Sequence, residues 1–546
     1  PNDIETRMQL ANLLLKQRHY NRALEEYEAI LELDPNRKLV YNQLGYVHAY
    51  RGDFTTALKY LEKYAQLAPD EPNPYDSKGE ILMMAGRLEE AVKELKTALS
   101  KRSSFYHSAM RLSEIYSEFC DLKDALEYCD KWIAEAPSPK AKTEALVQRA
   151  ILLWRFGRIA EAEKALNLAM ESSPTSVWPI LVGGELYKFI GDTLAAKQLY
   201  RRYFDRHKQA VANHQWENYE IKSFLGFSLE AEIPPAEVIK IVEKLSKAKN
   251  QSGRLDPYLG IRVISHLRMG EHEKVMTYFG EQAEVLLDLL TKIPNEGWGS
   301  QWKYWVETTD RTPKQVSPDY TFCDSFLEAA RKAGRKDLEV IARFLRAQHH
   351  AKYGLKEELM SEYRELGSPI EDAWRVIGPF ENRSGFDRRF PPEETIDLDA
   401  TYAGASGEIT WQPATDGAYD GHVDLRSVLK RSSWAVGYGV VYVNSPEKRL
   451  VQLRVASDES CKLWLNDELV WQAYRRGDAP LDNDIITVML RPGDNKLLIK
   501  VTNSLGEWGF YFRVTDEQGN GFPDLEFHPT RKNEVEIVSR YIPDSH

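Results

Sequence analysis

The chain has 546 residues, with 72 Lys and Arg against 83 Asp and Glu, for a formal net charge of −11. Dispersed charges on an acidic balance argue against a sequence-independent grip on nucleic acid, which needs a basic surface. Cys120, Cys129, Cys323 and Cys461 are too scattered for a disulfide framework, no Cys/His cluster has zinc spacing, and no apolar run approaches the ~18 residues of a membrane span.

From the N-terminus the dominant signal is a period. Ala23, Ala57, Ala91 and Ala125 follow one another at intervals of 34 residues, the period of a helix–turn–helix solenoid. Ala162 comes 37 residues after Ala125, an insertion placed near Ser138–Lys142, and Ala196 restores the spacing of 34. Gly45, Gly79 and Gly184 put a small residue where the two helices of a pair approach closely. Tyr41, Leu61, Tyr75, Leu95 and Tyr116 fill the gaps between pairs. Pro35, Pro69, Pro137 and Pro174 mark the ends of second helices, because proline cannot continue one. Arg51-Gly52-Asp53 and Ala85-Gly86-Arg87 read as turns.

These anchors recur six times and resemble the tetratricopeptide repeat family over residues 4–207, which sets the first domain at 1–207. The resemblance implies a right-handed α-solenoid whose concave face binds a peptide or protein segment. A single repeat cannot bury its own apolar face, so stacking is obligatory. The family's clamp for a C-terminal carboxylate does not transfer. Asn12 matches one position, but Met8, Asn42, Gln43, Asp76 and Ser77 stand at or near others without the required cations. The groove-lining positions of the first helices are Tyr46, Glu80, Arg111, Glu114, Trp154 and Glu185, a mixed acidic and aromatic surface. The alternative is that several of them only solvate or pad the superhelix.

Residues 208–370 keep a helical pattern without the clean register, and read as degenerate pairs continuing the solenoid. One helix is expected over Ala236–Lys249, started by Pro234 and Pro235. A hairpin follows, with Leu259, Ile264 and Leu267 before Gly270, then Val275, Phe279 and Leu286. Another runs from Phe322 through Gly334 to Tyr353 and contains His349-His350, a solvated or packed pair without a third metal ligand. Between them, Gly297–Tyr320 carries Trp298, Trp302 and Trp305, as an excursion packed on the solenoid or as a binding loop.

Near Trp374 the period changes from 3.6 to 2. Strands are expected at Trp434–Val443, Lys448–Ala456, Cys461–Leu465, Glu468–Gln472, Ile485–Leu490, Lys496–Val501 and Phe510–Val514, with Asn466-Asp467 as a tight hairpin turn. With no helical pattern between them, residues 371–528 read as an antiparallel β-sandwich. The polar tail, 529–546, carries Val535, Ile537, Val538, Tyr541 and Ile542 and is expected to pack as one short strand or to dock on a partner.

The run from Ser457 through Trp464 and Asn466-Asp467 to Val470 resembles galactose-binding-like jelly-roll modules, as does Arg491-Pro492-Gly493-Asp494 with its following strand. The opening Trp374, Gly378-Pro379-Phe380 and Pro391-Pro392-Glu393 is similar to the start of such modules in large bacterial multidomain proteins. Glu459 and Asp467 depart from the modules' usual pattern. Some members of that fold bind glycans and some a structural calcium. Trp411, Trp471, Tyr474, Arg475 and Trp508 are the candidates for a sugar site, with Asp482 a further polar group; the alternative is that the tryptophans fill the sandwich and seal its contact with the solenoid. Asp458, Asp482 and Asp484 are weak calcium candidates, ungrouped by any compact loop motif. No other cofactor is expected.

Phosphate-loop, nucleophile-elbow and zinc-protease motifs are missing, and Glu393-Glu394 reads as a turn and cap. The expectation is therefore a multidomain α + β protein: a tetratricopeptide-type solenoid followed by a jelly-roll sandwich. It acts as a non-catalytic scaffold or adaptor holding a protein subunit or peptide, with the sandwich as a second contact. The alternatives are a glycan-binding protein and the non-catalytic part of a larger enzyme or receptor. Starting at Pro1 leads to the expectation of an upstream signal peptide, anchor or domain. An extracytoplasmic site, periplasmic or cell-surface, is favoured, with the cytoplasm left open.

Overall fold

A computed structural model describes residues 3–16, 19–213, 231–248, 258–271, 320–332, 334–415, 421–430, 433–475, 481–506 and 508–531, together with 221, 224–226, 228, 274 and 419. The expected helical positions Val275, Phe279 and Leu286, the residues Trp298, Trp302 and Trp305, and the tail beyond residue 531 lie outside the described residues. The chain divides into two compact units, Pro1–Arg335 and Lys336–His546. No described helix is long and apolar enough to cross a membrane.

The first unit is a repeat of helix pairs. They are α1 (Ile4–Lys16) with α2 (Tyr20–Leu33), α3 (Lys38–Tyr50) with α4 (Phe54–Leu67), α5 (Asn73–Met84) with α6 (Leu88–Lys101), α7 (Tyr106–Glu118) with α8 (Leu122–Glu135), α9 (Pro139–Arg155) with α10 (Ile159–Ser172), and α11 (Trp178–Phe189) with α12 (Thr193–Ala212). The six ladder alanines, from Ala23 to Ala196, are buried in the second helices. The size limit is steric. A Cβ on Gly79 would stand 2.6 Å from Leu95 Cγ, and one on Gly45 2.9 Å from Leu61 Cγ. The extra residues before Ala162 lengthen the first turn of α9, which Ser138 caps by accepting from Ala141 N and Pro139 enters at N1.

The turns between paired helices need a left-handed residue, and Gly52, Gly86, Gly157 and Gly191 supply it at φ 70 to 81°. In the fourth repeat Cys120 holds that place at φ 57°. Asp53, Asp121 and Asp192 then cap the second helices through Thr56, Asp124 and Ala195 N–H groups. Beyond the sixth pair lie α13 (Pro235–Ala248), α14 (Leu259–Arg268) and α15 (Tyr320–Lys332).

The second unit opens with two helices, α16 (Lys336–Tyr353) and α17 (Lys356–Leu366). They are expected in the helical continuation; here they belong with the strands, Phe344 lying against Tyr511 at 6.4 Å and Leu366 O accepting from Arg513. The first sheet contains β1 (Arg375–Glu381), β4 (Gln412–Pro413), β6 (Ala435–Ser445), β8 (Cys461–Leu465), β9 (Glu468–Ala473), β11 (Gly493–Asn503) and β13 (Glu526–His528). Its order is β4-β1-β6-β11-β8-β9, with β13 also on β6. The second contains β5 (His422–Asp424), β7 (Arg449–Ser457), β10 (Asp484–Leu490) and β12 (Gly509–Thr515), in the order β10-β7-β12-β5. All pairings are antiparallel. A separate hairpin pairs β2 (Thr401–Gly404) with β3 (Gly407–Thr410).

One apolar cluster draws on both sheets: Val441, Leu463, Ile499 and Val501 from the first, Leu453, Val455, Phe510 and Phe512 from the second. Trp374 packs edge-on against Phe510 and Phe512 within it. A second cluster lies on the other side of β6, where Val436, Tyr438 and Val440 meet Phe380, Phe390 and Trp411. That explains why β6 is buried along nearly its whole length instead of alternating. At Asn466-Asp467 both residues have positive φ, 53 and 72°, as the expected two-residue hairpin turn requires.

Candidate functional site

The first helices of successive pairs are neighbours, α3 beside α5, α5 beside α7 and α9 beside α11. Residues 34 apart on them therefore form rows. Tyr46 on α3, Glu80 on α5 and Glu114 on α7 make one such row. Tyr46 Oη donates to Glu80 Oε2 at 2.6 Å. The Arg111 guanidinium pairs with that same Glu80 oxygen and with Asp76 Oδ2 at 3.1 Å. Ser108 Oγ donates to Asp76 Oδ1 at 2.7 Å. Three repeats are thus tied on one face by a connected polar network.

Burial shapes its protonation. The Asp76 carboxyl is 5% exposed, and desolvation raises its pKa although Arg111 and Ser108 pull it down. Desolvation works against the Arg111 charge too, but Asp76, Glu80, Tyr46 and Glu114 outweigh it and hold its pKa above the ordinary value. Burial, reinforced by Glu80, lifts the Tyr46 phenol well above its usual range, so it stays a donor. The network carries more carboxylates than cations and presents an ordered, partly exposed anionic edge at Glu80.

The structure brings together Tyr46, Glu80 and Arg111, with Glu114 near enough to act on the Arg111 charge. Trp154 and Glu185 stand apart. Trp154 is buried and meets Tyr187 edge-on at 5.9 Å, while Glu185 pairs with Lys188 at 2.9 Å. Ser108 is not among the expected groove residues, and Asp76 is expected only at or near a clamp position. A usable signal was present: Arg111 follows Asp76 by 35 residues and Glu80 by 31, one repeat plus one and minus three. Those two offsets reach the same region of the neighbouring helix, one turn apart.

In the second unit the tryptophans proposed for sugar stacking serve other ends. Trp508 is wholly buried and donates Nε1–H to Val501 O at 3.3 Å. Trp411 is buried in the cluster behind β6, and neither offers a face to a sugar. Trp471 packs partly buried on the main core. Tyr474 is buried edge-on against Phe386, and Arg475 pairs with Asp484. The three calcium candidates face cationic or ionisable bases: Asp458 has His422 at 3.4 Å, Asp482 has Arg513 at 2.5 Å and Arg454 at 3.3 Å, and Asp484 has Arg475. Among the described residues no group of three or more His, Cys, Asp or Glu side chains is placed to hold a metal ion.

Two buried cations went unnoticed in the sequence. Lys500 Nζ donates to Glu393 Oε1 at 2.8 Å, Arg388 O at 2.7 Å and Phe386 O at 3.2 Å. Tyr438 Oη donates to the same Glu393 oxygen. Glu393 closes the short turn Pro391–Glu393, with Glu394 at its C-cap as expected, and its side chain is in addition a buried ion-pair partner. Burial lowers the Lys500 pKa to about 8 against the opposing pull of Glu393. Arg513 donates to Leu366 O at 2.8 Å, to Gly519 O at 2.6 Å and to Asp482, clasping the end of α17 and two turns. His350 is buried with Glu362 at 4.0 Å.

Residues 8–72 and 77–138 match the tetratricopeptide repeat family and are repeats of that kind. The chain is 29% identical over 127 residues to tetratricopeptide repeat protein 37 of Xenopus laevis, which takes in 21% of this chain and 8% of that protein. It is 28% identical over 134 residues to a TPR repeat-containing protein of Methanocaldococcus jannaschii, 24% of each. The chain thus spans a small part of the curated relatives it matches. Among solved structures it is similar to PilW, described as a type IV pilus biogenesis factor, at 17% identity over 41% of this chain and 99% of that one, TM-score 0.32. It is also similar to YrrB, described as a TPR protein with an unusual peptide-binding site, at 17% identity over 33% and 91%, TM-score 0.27.

Proposed function

We propose that this chain is a non-catalytic scaffold that holds a protein segment along the first-helix face of its repeats, with the sheet unit as a second contact module. Tetratricopeptide repeats generally mediate protein–protein interaction and assembly. The observation that carries the reading is the Tyr46–Glu80–Arg111–Asp76 network. It orders polar side chains from three repeats before any partner arrives, so less side-chain freedom is lost on binding. Joining that face to a second module raises avidity without tighter single contacts.

The test is crosslinking of the full chain in native extracts, beside Tyr46→Ala and Glu114→Lys variants. The expected result is a near-stoichiometric partner crosslinked to α3, α5 and α7, lost in both variants while helical content is kept. A chain recovered with no other protein on that face sinks the proposal.

We also read the two-sheet unit as a jelly roll of the galactose-binding-like kind. What supports this is that β6, β7 and β8, and again β9, β10, β11 and β12, alternate between the two sheets. A glycan site there has less behind it, given the burial of Trp411 and Trp508; failure of the full chain to bind any sugar on a broad array removes it.

A further inference from the structure

The second sheet ends on β10, which pairs with β7 in unbroken register from Asp484 opposite Val455 to Leu490 opposite Arg449. Its other edge pairs with no described strand. Edge strands are commonly guarded by lysine, proline or a bulge. The run Ile485-Ile486-Thr487-Val488-Met489-Leu490 has none of these. Its outward, exposed side chains are Ile485 at 43% and Met489 at 46%, with Thr487 between them and, opposite Met489 on β7, the apolar Leu450 at 53%. By contrast the β12 side of this sheet is occupied, through bonds from Val514 N to Gly367 O and from Arg513 to Leu366 O.

We infer that β10 is where two copies of this chain pair, antiparallel and centred on Thr487. The segment is its own complement under a two-fold rotation, as an isologous contact requires. Centring on Thr487 sets Ile485 opposite Met489 of the second copy and Met489 opposite its Ile485. Leu450 and Met489 of each copy then lie in line with the exposed Ile485 of the other, twice over by the two-fold. Two four-stranded sheets become one of eight, and both unguarded edges are paired. The contact involves far fewer than the ~20–30 residues a side of a standard interface, so association is concentration-dependent.

The purified full chain is weighed by sedimentation over a concentration series. Expected is a rise from one-chain to two-chain mass, abolished in Ile485→Lys and in Thr487→Pro. Ile485 is exposed, so the lysine is tolerated by the fold, and an unchanged circular dichroism spectrum verifies it. Thr487→Cys under oxidised glutathione gives a disulfide-linked dimer, since the two-fold places residue 487 beside its own copy; Val488→Cys does not. One-chain mass at every concentration, a dimer indifferent to Ile485→Lys, or no linked dimer with Thr487→Cys overturns the inference.

Discussion

The helical repeats and the sheet unit secure their buried polar groups at very different sequence distances. In the repeats Tyr46 reaches Glu80 across 34 residues and Arg111 reaches Asp76 across 35, each one repeat away. In the sheet unit Arg513 reaches Leu366 across 147 residues, Ser368 reaches Phe512 across 144, and Lys500 reaches Glu393 across 107. The repeats distribute their stability among nearest neighbours. The sheet unit concentrates it in a few long-range clasps, so damage is expected to spread through it as a whole.

Arg513→Met breaks that contrast most forcefully. It strands the carbonyls of Leu366 and Gly519 and leaves Asp482 with Arg454 alone, and loss of one partner of a buried pair costs about 4 kcal/mol. Thermal unfolding is expected to show the sheet unit melting first, with the helical signal at 222 nm, a wavelength set by helix content, largely kept. A single common transition, shifted as a whole, breaks the distinction.

The Lys500 clasp sharpens the contrast through pH. Its folded pKa is about 8, below the ordinary 10.5. Between those values the unfolded chain binds more protons than the folded one, so stability rises with pH and is lost again as pH falls through 8. Each pH unit in that window changes stability by about 1.4 kcal/mol. Denaturant titrations from pH 7.5 to 10 are expected to show this rise in the wild type and not in Lys500→Met.

On the repeat side, Arg111→Met leaves the buried Asp76 without its cation and is expected to cost about 2 kcal/mol. The double variant Asp76→Asn/Arg111→Met costs less than the single one, because the uncompensated charge is gone. Raised Asp76 pKa has the opposite pH sign: the folded state holds the proton longer, so this group's contribution is fullest in acid and is lost as pH rises through its folded pKa. The smallest effect is Cys120→Gly. It replaces a residue at φ 57° with the one used in four other turns, and denaturant unfolding is expected to show a gain of about 0.5 kcal/mol.

Much of the architecture was legible in residue types. The alanine ladder marked every second helix of the first six pairs, and Asn466-Asp467 marked its hairpin. The binding face was partly legible: Tyr46, Glu80, Arg111 and Glu114 came from their repeat position, yet Asp76 and Ser108 join the network only through geometry. Glu393, Lys500 and Arg513 were not legible as buried groups, since a charged residue in a strand or loop looks solvated until its distant partner is known. For the same reason tryptophans that looked available for a ligand, Trp411 and Trp508, are buried.

The sequence by itself determined the repeat. A 34-residue period makes each contact a local one, and a local contact leaves its mark in the spacing of Ala57, Gly79 and Tyr46. Tertiary structure alone decided which helices stand with the strands, which charges are buried, and that β10 is left at an edge. Those outcomes depend on which segments, a hundred or more residues apart, cover one another, and alternation along one strand does not encode what lies above it.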